Sequence, residues 1–241
     1  MLAAYKRGLR HGVPIALGYL SVSFAFGIQA TSLGLSPLQA MMISFFNVTS
    51  AGQLAGLQLM AAGAGLTEMA LTQLTINLRY ALMSLSLGQK LDGSMTLPHR
   101  LLLSFCNTDE VFAVASQQPG KIGRAYLYGL TNGPFVGWVS GTLIGALAGG
   151  LLPKAVTDAL GIAIYGMFIA IILPPFRRSC EVRTVIAVSV ALSCLLTLVP
   201  VFHFISDGFR IILCAVAASA LGAWLMPRPA EDDAADEEVP C

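Results

Sequence analysis

Long apolar segments separated by short joints are the feature that most constrains this chain. Eight such segments run near residues 13–30, 38–62, 66–88, 101–116, 126–148, 156–173, 184–202 and 209–226. A transmembrane helix needs about 20 predominantly apolar residues, and all but the fourth segment come close to that length. Glycine and proline mark the joints, which are too short for an extramembrane domain. The sequence predicts an all-α polytopic membrane protein with seven to eight transmembrane helices, some of them broken.

The composition excludes an ordinary soluble fold. Hydrophobic residues make up 56% of the chain and charged residues 11%, against about 25% charged in soluble domains. This apolar composition makes membrane lipid an expected partner. No basic run with interleaved aromatic residues occurs, so nucleic acid is not an expected partner. The cysteines and histidines form no cluster with metal-ligand spacing, so neither a metal nor another cofactor is expected.

The carboxyl end differs from the rest of the chain. Six acidic residues lie between positions 231 and 238, so residues 227–241 are predicted to be a disordered acidic tail and residues 1–226 a single transmembrane domain. Residues 12–117 and 123–226 each begin with a glycine-punctuated apolar segment next to basic residues. A two-fold internal repeat is one interpretation, because transporters commonly arise by duplication. Chance similarity between glycine-rich helices is the other.

The fourth segment, residues 101–116, is short and carries two carboxylates. It fits a tilted helix, a broken helix or a re-entrant segment buried in protein. Eight crossings are preferred, because they place both termini and most basic residues in the cytoplasm, where lysine and arginine are retained. The opposite side would then receive Lys90, Arg100, Lys154 and Arg210.

Arg79 places a permanent charge near the middle of the third segment, residues 66–88. A guanidinium at membrane depth costs from about 2.5 kcal/mol upward, so such residues face the protein interior or a wet cavity and mark ligand or ion pathways. Asn77 belongs to a polar face of the same helix. We predict that Arg79 and Asn77 bind the transported substrate.

Asp109 and Glu110 follow Asn107 in the short fourth segment. Adjacent residues on a helix point about 100° apart, so one carboxylate can pair with Arg79 while the other faces a cavity. Burial raises the pKa of a carboxyl group and a guanidinium lowers it, which would suit a proton relay. A fixed pair between Arg79 and Asp109 that lets both be buried explains the same pattern.

Two further stretches predict interrupted helices. In the second segment, the Ser-Ala-Gly-Gln run ending at Gly52 and Gln53 suits an unwound turn whose backbone groups bind substrate. In the fifth segment, proline follows Asn132 and Gly133 and disfavours a helix, which predicts a break that exposes polar groups. Glycines at four-residue spacing in the same segment also fit close helix packing.

Several motifs resemble the AzlC-type (azaleucine-resistance) branched-chain amino acid permease family. They are GVPIALGY with FAFG at residues 12–27, Ala-Gly-Gln at 51–53, INLRYALMSLSL at 76–87 and TDEVFA at 108–113. The motifs stand in the family's order and spacing, and the similarity covers nearly the whole chain. The chain departs from the family pattern at Tyr80, which replaces the usual histidine.

The resemblance implies the large subunit of a two-component exporter of the bacterial inner membrane. Its partner would be a small AzlD-type membrane subunit, and its cargo valine-like branched-chain amino acids. It also implies functional roles for Asn77, Arg79, Asp109 and Glu110.

These observations predict a secondary transporter and no enzyme. The cargo carboxylate would face Arg79 or free amides near Gly52 and Gln53, and its ammonium would meet Asn77, Asp109 or exposed carbonyls. Asn107 and Asn132 complete the predicted substrate site, with Asp109, Glu110 and Arg79 assigned to proton coupling or charge pairing. No ATP-binding loop is present. The alternative is a transporter or channel for another small polar metabolite or ion.

Overall fold

A computed structural model describes residues 1–149, 151–153 and 179–226, with isolated positions from 155 to 177. The predicted sixth segment, residues 156–173, falls mostly outside the described residues, and so does the predicted acidic tail at residues 227–241.

The described residues form helices joined by short turns. They are α1 (Leu2–Ser32), α2 (Pro37–Phe46), α3 (Ser50–Ala61), α4 (Leu66–Gln89), α5 (Leu97–Ser104), α6 (Asp109–Ser116), α7 (Arg124–Ala148), α8 (Cys180–Leu198) and α9 (Asp207–Leu225), with a 3₁₀ turn at Pro200–Phe202. The predicted all-α class is confirmed. Among these helices α1, α8 and α9 are both long and apolar enough to cross a membrane. Helices α4 and α7 are not among these three, but at about 1.5 Å per residue their 24 and 25 residues also reach across a bilayer.

The described residues form two compact units. The first holds Met1–Leu57 and the chain from Asn77 through α7, and the second holds Gln58–Ile76 together with α8 and α9. Helices α3 and α4 each continue from one unit into the other.

Helices α1 and α7 pack in parallel along a stripe of glycines in the first unit. A Cβ atom added at Gly8 would lie 2.1 Å from the carbonyl oxygen of Tyr126, and one added at Gly27 would lie 2.1 Å from that of Thr142. The contacts advance in the same direction along both helices, so both begin on the same side of the membrane. Since glycine has no Cβ, the two backbones approach closely, and the packing interpretation of the stripe is confirmed.

The break predicted in the fifth segment is wrong. Helix α7 is continuous through Asn132 and Gly133, with Pro134 inside it. Proline removes a single backbone donor and fixes a φ angle that a helix tolerates, so one proline need not end a helix that neighbouring backbone holds in place. Gly12 and Pro134 belong to this contact, because a Cβ at Gly12 would lie 3.3 Å from the ring of Pro134.

The fourth segment is both broken and re-entrant, which combines two of the three forms that the sequence left open. Helices α5 and α6, the second hairpin, are separated by residues 105–108. The two ends of the hairpin meet, because Lys90 Nζ donates to the carbonyl oxygens of Ser116 and Gln118, the latter at 2.7 Å. Lys121 Nζ donates in turn to the carbonyl oxygen of Gln89 at 2.6 Å. The segment therefore enters and leaves on one side.

The second segment is also a hairpin, formed by α2 and α3 and called the first hairpin. Ser36 caps α2, since its hydroxyl accepts from Gln39 N at 3.3 Å while the Gln39 side chain accepts from Ser36 N at 2.8 Å. Ala40 near the start of α2 and Leu57 near the end of α3 pack into one cluster with Ala30 at the end of α1. The hairpin thus enters and leaves on the side where α1 ends.

The unwound stretch of the first hairpin differs from the predicted one. The helix is interrupted at residues 47–49, whereas the Ser-Ala-Gly-Gln run forms the first turn of α3. Polar residues with short side chains favour the start of a helix over its interior, so this run begins a helix.

The hairpins change the preferred arrangement of crossings. Segments two and four fold back from opposite sides, so α4 is the crossing between the parallel helices α1 and α7. Lys90 consequently lies beside Lys121 instead of opposite to it. Arg7, Lys121 and Arg124 line one cavity of about 350 Å³ on that side. The described turn at residues 33–36 on the other side has no basic residue. Basic residues are retained in the cytoplasm, so α1 begins there.

The second unit contains a hairpin of α8 and α9. A Cβ at Gly222 of α9 would lie 2.4 Å from the Val185 side chain of α8, so the two helices are in close contact. Glu68, in the first turn of α4, accepts from Gly208 N at 2.9 Å and from the Ser206 hydroxyl at 2.5 Å. A carboxylate therefore satisfies backbone at the positive end of α9.

Candidate functional site

The unwound stretches of both hairpins reach the α1–α7 pair at the same depth. The Tyr19 hydroxyl of α1 donates to the Glu110 carboxylate and shares a hydrogen bond with the Thr108 hydroxyl, both in the second hairpin. Trp138 of α7 donates from Nε1 to the carbonyl oxygen of Asn47 in the first hairpin at 3.3 Å. The Tyr19 and Trp138 rings meet edge to face, with centroids 5.3 Å apart. One aromatic pair thus connects the two helix breaks.

Arg79 forms an ion pair with Asp109, whose nearest atoms are 2.8 Å apart. The side chains are 45% and 34% exposed, so the pair is only partly enclosed. The guanidinium also donates to the Tyr80 hydroxyl at 3.3 Å and lies 5.0 Å above its ring. The pair considered from the sequence is present, and its role in coupling or binding stays a prediction.

Glu110 takes a different direction from its neighbour Asp109. Its carboxylate accepts a hydrogen bond from Tyr19, whereas Asp109 faces Arg79. Both residues lie in the first turn of α6, where the positive end of the helix stabilises negative charge. The adjacent carboxylates therefore serve two separate contacts, as their helical spacing predicts.

Thr49 organises the unwound stretch of the first hairpin. Its hydroxyl donates to Asn77 Oδ1 at 2.9 Å and accepts from Gly52 N at 3.3 Å. Its carbonyl oxygen accepts from Gln53 N at 2.8 Å. The expectation of free amides at Gly52 and Gln53 is therefore wrong, because the residue before the helix uses both. Asn77 is brought to this break, as expected for a site residue.

The Gln53 side chain lies deep in the first unit. It is 2% exposed, and its Nε2 donates to the Ser44 hydroxyl at 2.5 Å. Ser44 in turn shares a hydrogen bond of 2.6 Å with Thr142 of α7. Within the described part of the chain, Gln53 Oε1 has no hydrogen-bond partner. A buried acceptor without a donor costs about 1–3 kcal/mol, which a ligand or water can recover.

Asn107 is a second buried amide side chain, and it lies within the break of the second hairpin. It is 5% exposed, and its Nδ2 donates to the Ser84 hydroxyl of α4 at 3.0 Å. Its Oδ1 has no hydrogen-bond partner among the described residues. Asn107 also lines a cavity of about 190 Å³.

Asn132 is not brought to either break. It lies exposed on continuous α7 and donates to the Tyr5 hydroxyl at 3.2 Å. The prediction for Asn132 depends on a break that α7 does not have, so its role in binding has no geometric support.

Sequence reasoning missed Tyr19, Trp138 and Thr49 as site residues. Tyr and Trp carry a polar group that needs a partner when buried, so an aromatic donor within an apolar segment was the available signal. Nothing in the sequence shows that Tyr19 and Trp138 meet partners more than 80 positions away, or that Thr49 meets Asn77 of α4.

The AzlC protein family model matches residues 14–152 of this chain. Inner membrane protein YgaZ of Escherichia coli (strain K12) is 34% identical over 73% of this chain and 75% of its own length. An uncharacterized membrane protein of Archaeoglobus fulgidus is 32% identical over 92% and 95%. The branched-chain amino acid transport protein AzlC of Bacillus subtilis (strain 168) is 24% identical over 73% and 69%. No solved structure matches significantly.

These similarities agree with the apolar helices and with the membrane location predicted from the sequence. The family match contains both hairpins, the pair of Arg79 and Asp109, and the aromatic pair of Tyr19 and Trp138. The predicted family is confirmed, and this chain belongs to the AzlC family of membrane transport proteins.

Proposed function

We propose that the chain is a secondary transporter that exports branched-chain, valine-like amino acids across the bacterial inner membrane. The observation that carries the proposal is the meeting of two helix breaks from opposite sides beside a pair of opposite charges. Interrupted helices near the midplane are where secondary transporters hold their substrates. The printed name of the Bacillus subtilis relative supports the cargo class. A small AzlD-type subunit is the proposed partner.

The cargo's two charges fit the pair of Arg79 and Asp109. An amino acid inserted between them would place its carboxylate at the guanidinium and its ammonium at the aspartate, so that no charge remains unpaired. Asn77 and Gln53 offer neutral acceptor oxygens near the first break. A zwitterion is therefore favoured over a simple anion or cation, because both partners stay neutralised.

Exchange of cargo for a proton follows from the same geometry. A proton on Asp109 removes the partner of the cargo ammonium, so cargo and proton compete for one carboxylate. A proton gradient directed inward would then favour outward movement of cargo. The substrate's own gradient is the second driving force open to such a carrier.

Counterflow in proteoliposomes tests the function. Vesicles preloaded with unlabelled valine should accumulate labelled valine faster than empty vesicles, with and without the small subunit. Arg79→Ala and Asp109→Asn should each lower counterflow at least about tenfold, because each leaves an unpaired charge in the site. Ser140→Ala is the control, since among the described residues that half-buried hydroxyl bonds only within its own helix.

Three results would contradict the proposal. Uptake independent of preloading would indicate a channel. Folded Arg79→Ala and Asp109→Asn proteins with full counterflow would remove the charge pair from the mechanism. Counterflow restricted to non-aliphatic solutes would exclude the cargo class.

A further inference from the structure

A cavity of about 190 Å³ lies beside the second hairpin, on the side where α1 begins. It is enclosed by the last turns of α4, by α5, by the start of α6 and by α7, all within the first unit. Its walls are mainly apolar and come from Leu87, Leu91, Met95, Leu103, Val111 and Leu127. Positive charge on the same side places this cavity at the cytoplasmic end of the protein.

Two polar side chains lining this cavity have unused hydrogen-bonding capacity. Asn107 has a buried carbonyl oxygen without a donor in the described part of the chain. Arg100 is exposed and donates from Nε to the carbonyl oxygen of Met95 at 3.1 Å, which leaves its two terminal nitrogens without a partner among the described residues. The cavity thus combines apolar walls, an unsatisfied acceptor and an exposed cation.

We infer that this cavity is a cytoplasmic loading site for the aliphatic cargo, separate from the pair of Arg79 and Asp109. The inference rests on the proposed function. Apolar walls take the branched side chain, the Asn107 oxygen accepts a hydrogen bond from the ammonium, and Arg100 attracts the carboxylate. Neither Arg79 nor Asp109 lines the cavity, so loading there leaves the charge pair intact.

Three ligands separate these contributions in direct binding measurements on the purified full chain in detergent. Leucine carries all three groups, isoamylamine lacks the carboxylate, and 4-methylpentanoate lacks the ammonium. Asn107→Leu should weaken the binding of leucine and of isoamylamine about tenfold and leave the binding of 4-methylpentanoate unchanged, because only the first two ligands have an ammonium that donates a hydrogen bond. Arg100→Gln should weaken the binding of leucine and leave the binding of isoamylamine unchanged, because isoamylamine has no carboxylate. Equal effects of either variant on all three ligands would overturn the inference.

Gly88 provides a test of the apolar walls. It lines the cavity, and a Cβ atom added there would meet nothing within 4 Å, so a larger side chain can enter the space without a backbone clash. Gly88→Leu should weaken leucine binding by about tenfold or more and alanine binding far less, since the longer cargo loses more of its room. Gly18→Leu is the matched control, because Gly18 is also helical and open but does not line the cavity.

Binding and counterflow together distinguish the two proposals. If Gly88→Leu weakens the binding of leucine and alanine equally, or weakens neither, while the wild-type protein still shows counterflow, the inference of a loading site is wrong and the transport function stands. If the predicted binding pattern holds but wild-type protein shows no counterflow of any amino acid, the site stands and the transport function fails.

Discussion

Replacing Gly145 with alanine should force α1 away from α7. A Cβ at this position would lie 2.0 Å from the carbonyl oxygen of Phe24 and 2.7 Å from its carbonyl carbon. Both atoms belong to backbone, so no rotamer change relieves the clash and the helices must separate by about 1 Å. Overpacking costs about 1–3 kcal/mol, and alanine regains up to about 1 kcal/mol of helix propensity. With the full propensity gain, the expected net loss is up to about 2 kcal/mol of folding free energy.

Gly133 is the matched control on the same helix and the same stripe. A Cβ there would lie 3.7 Å from the Ala16 Cβ, an ordinary van der Waals contact. Gly133→Ala should therefore be neutral or stabilising by up to about 1 kcal/mol. Both variants gain the same helix propensity, so they should differ by the overpacking cost of about 1–3 kcal/mol, or roughly one to two orders of magnitude in the folding equilibrium.

Reversible unfolding in mixed detergent micelles measures this difference, with helicity as the signal. A second measurement, the melting temperature of each variant, should show the same order. Equal stability of the two alanine variants would refute the close approach of α1 and α7, and with it the parallel arrangement on which the hairpin topology depends.

Three further variants test other contacts. Tyr19→Phe removes the hydrogen bond to Glu110. Because hydrogen bonds to charged groups contribute about 1.5–3 kcal/mol, the counterflow rate should fall about 10- to 100-fold. An unchanged counterflow rate would exclude a role for the hydroxyl. Glu68→Gln removes the negative charge at the start of α9 and should lower stability by about 0.5–2 kcal/mol in the same unfolding assay. No loss would mean that the charge contributes nothing to the cap. Hydrogen bonds from the Ser94 hydroxyl and amide lower the pKa of Asp92 in the folded protein. Wild type should therefore be more stable than Asp92→Asn above the usual aspartate pKa, and the difference in melting temperature should fade as the pH falls through the lowered pKa. A difference in melting temperature that does not depend on pH would contradict this.

The charge pair shows how far sequence reasoning reached into the site. Arg79 stood out because a guanidinium in an apolar segment is costly, and the adjacent carboxylates were the obvious partners. Helical spacing also explained why Asp109 and Glu110 face different groups. The partner of Glu110 could not be read from the sequence, since Tyr19 reaches it only through tertiary packing.

The hairpins show where sequence reasoning failed. Hydropathy measures how apolar a segment is, and a re-entrant hairpin buried against other helices is as apolar as a crossing. The second segment was therefore interpreted as one span, although Asn47 marks the point where it turns back. In α7 the error was the reverse, because Pro134 predicted a break in a helix that is continuous and packed against α1.

The sequence by itself determined the all-α membrane class, the family and the pairing of charges, because these depend on composition, motifs and local spacing. Tertiary structure alone decided which segments cross and which fold back. That choice depends on contacts between distant residues, such as Lys90 with Gln118 and Gly145 with Phe24, which bring chain ends and backbones together. Local sequence determines whether a segment forms an apolar helix, and its contacts with the other helices determine whether that segment crosses the membrane or folds back.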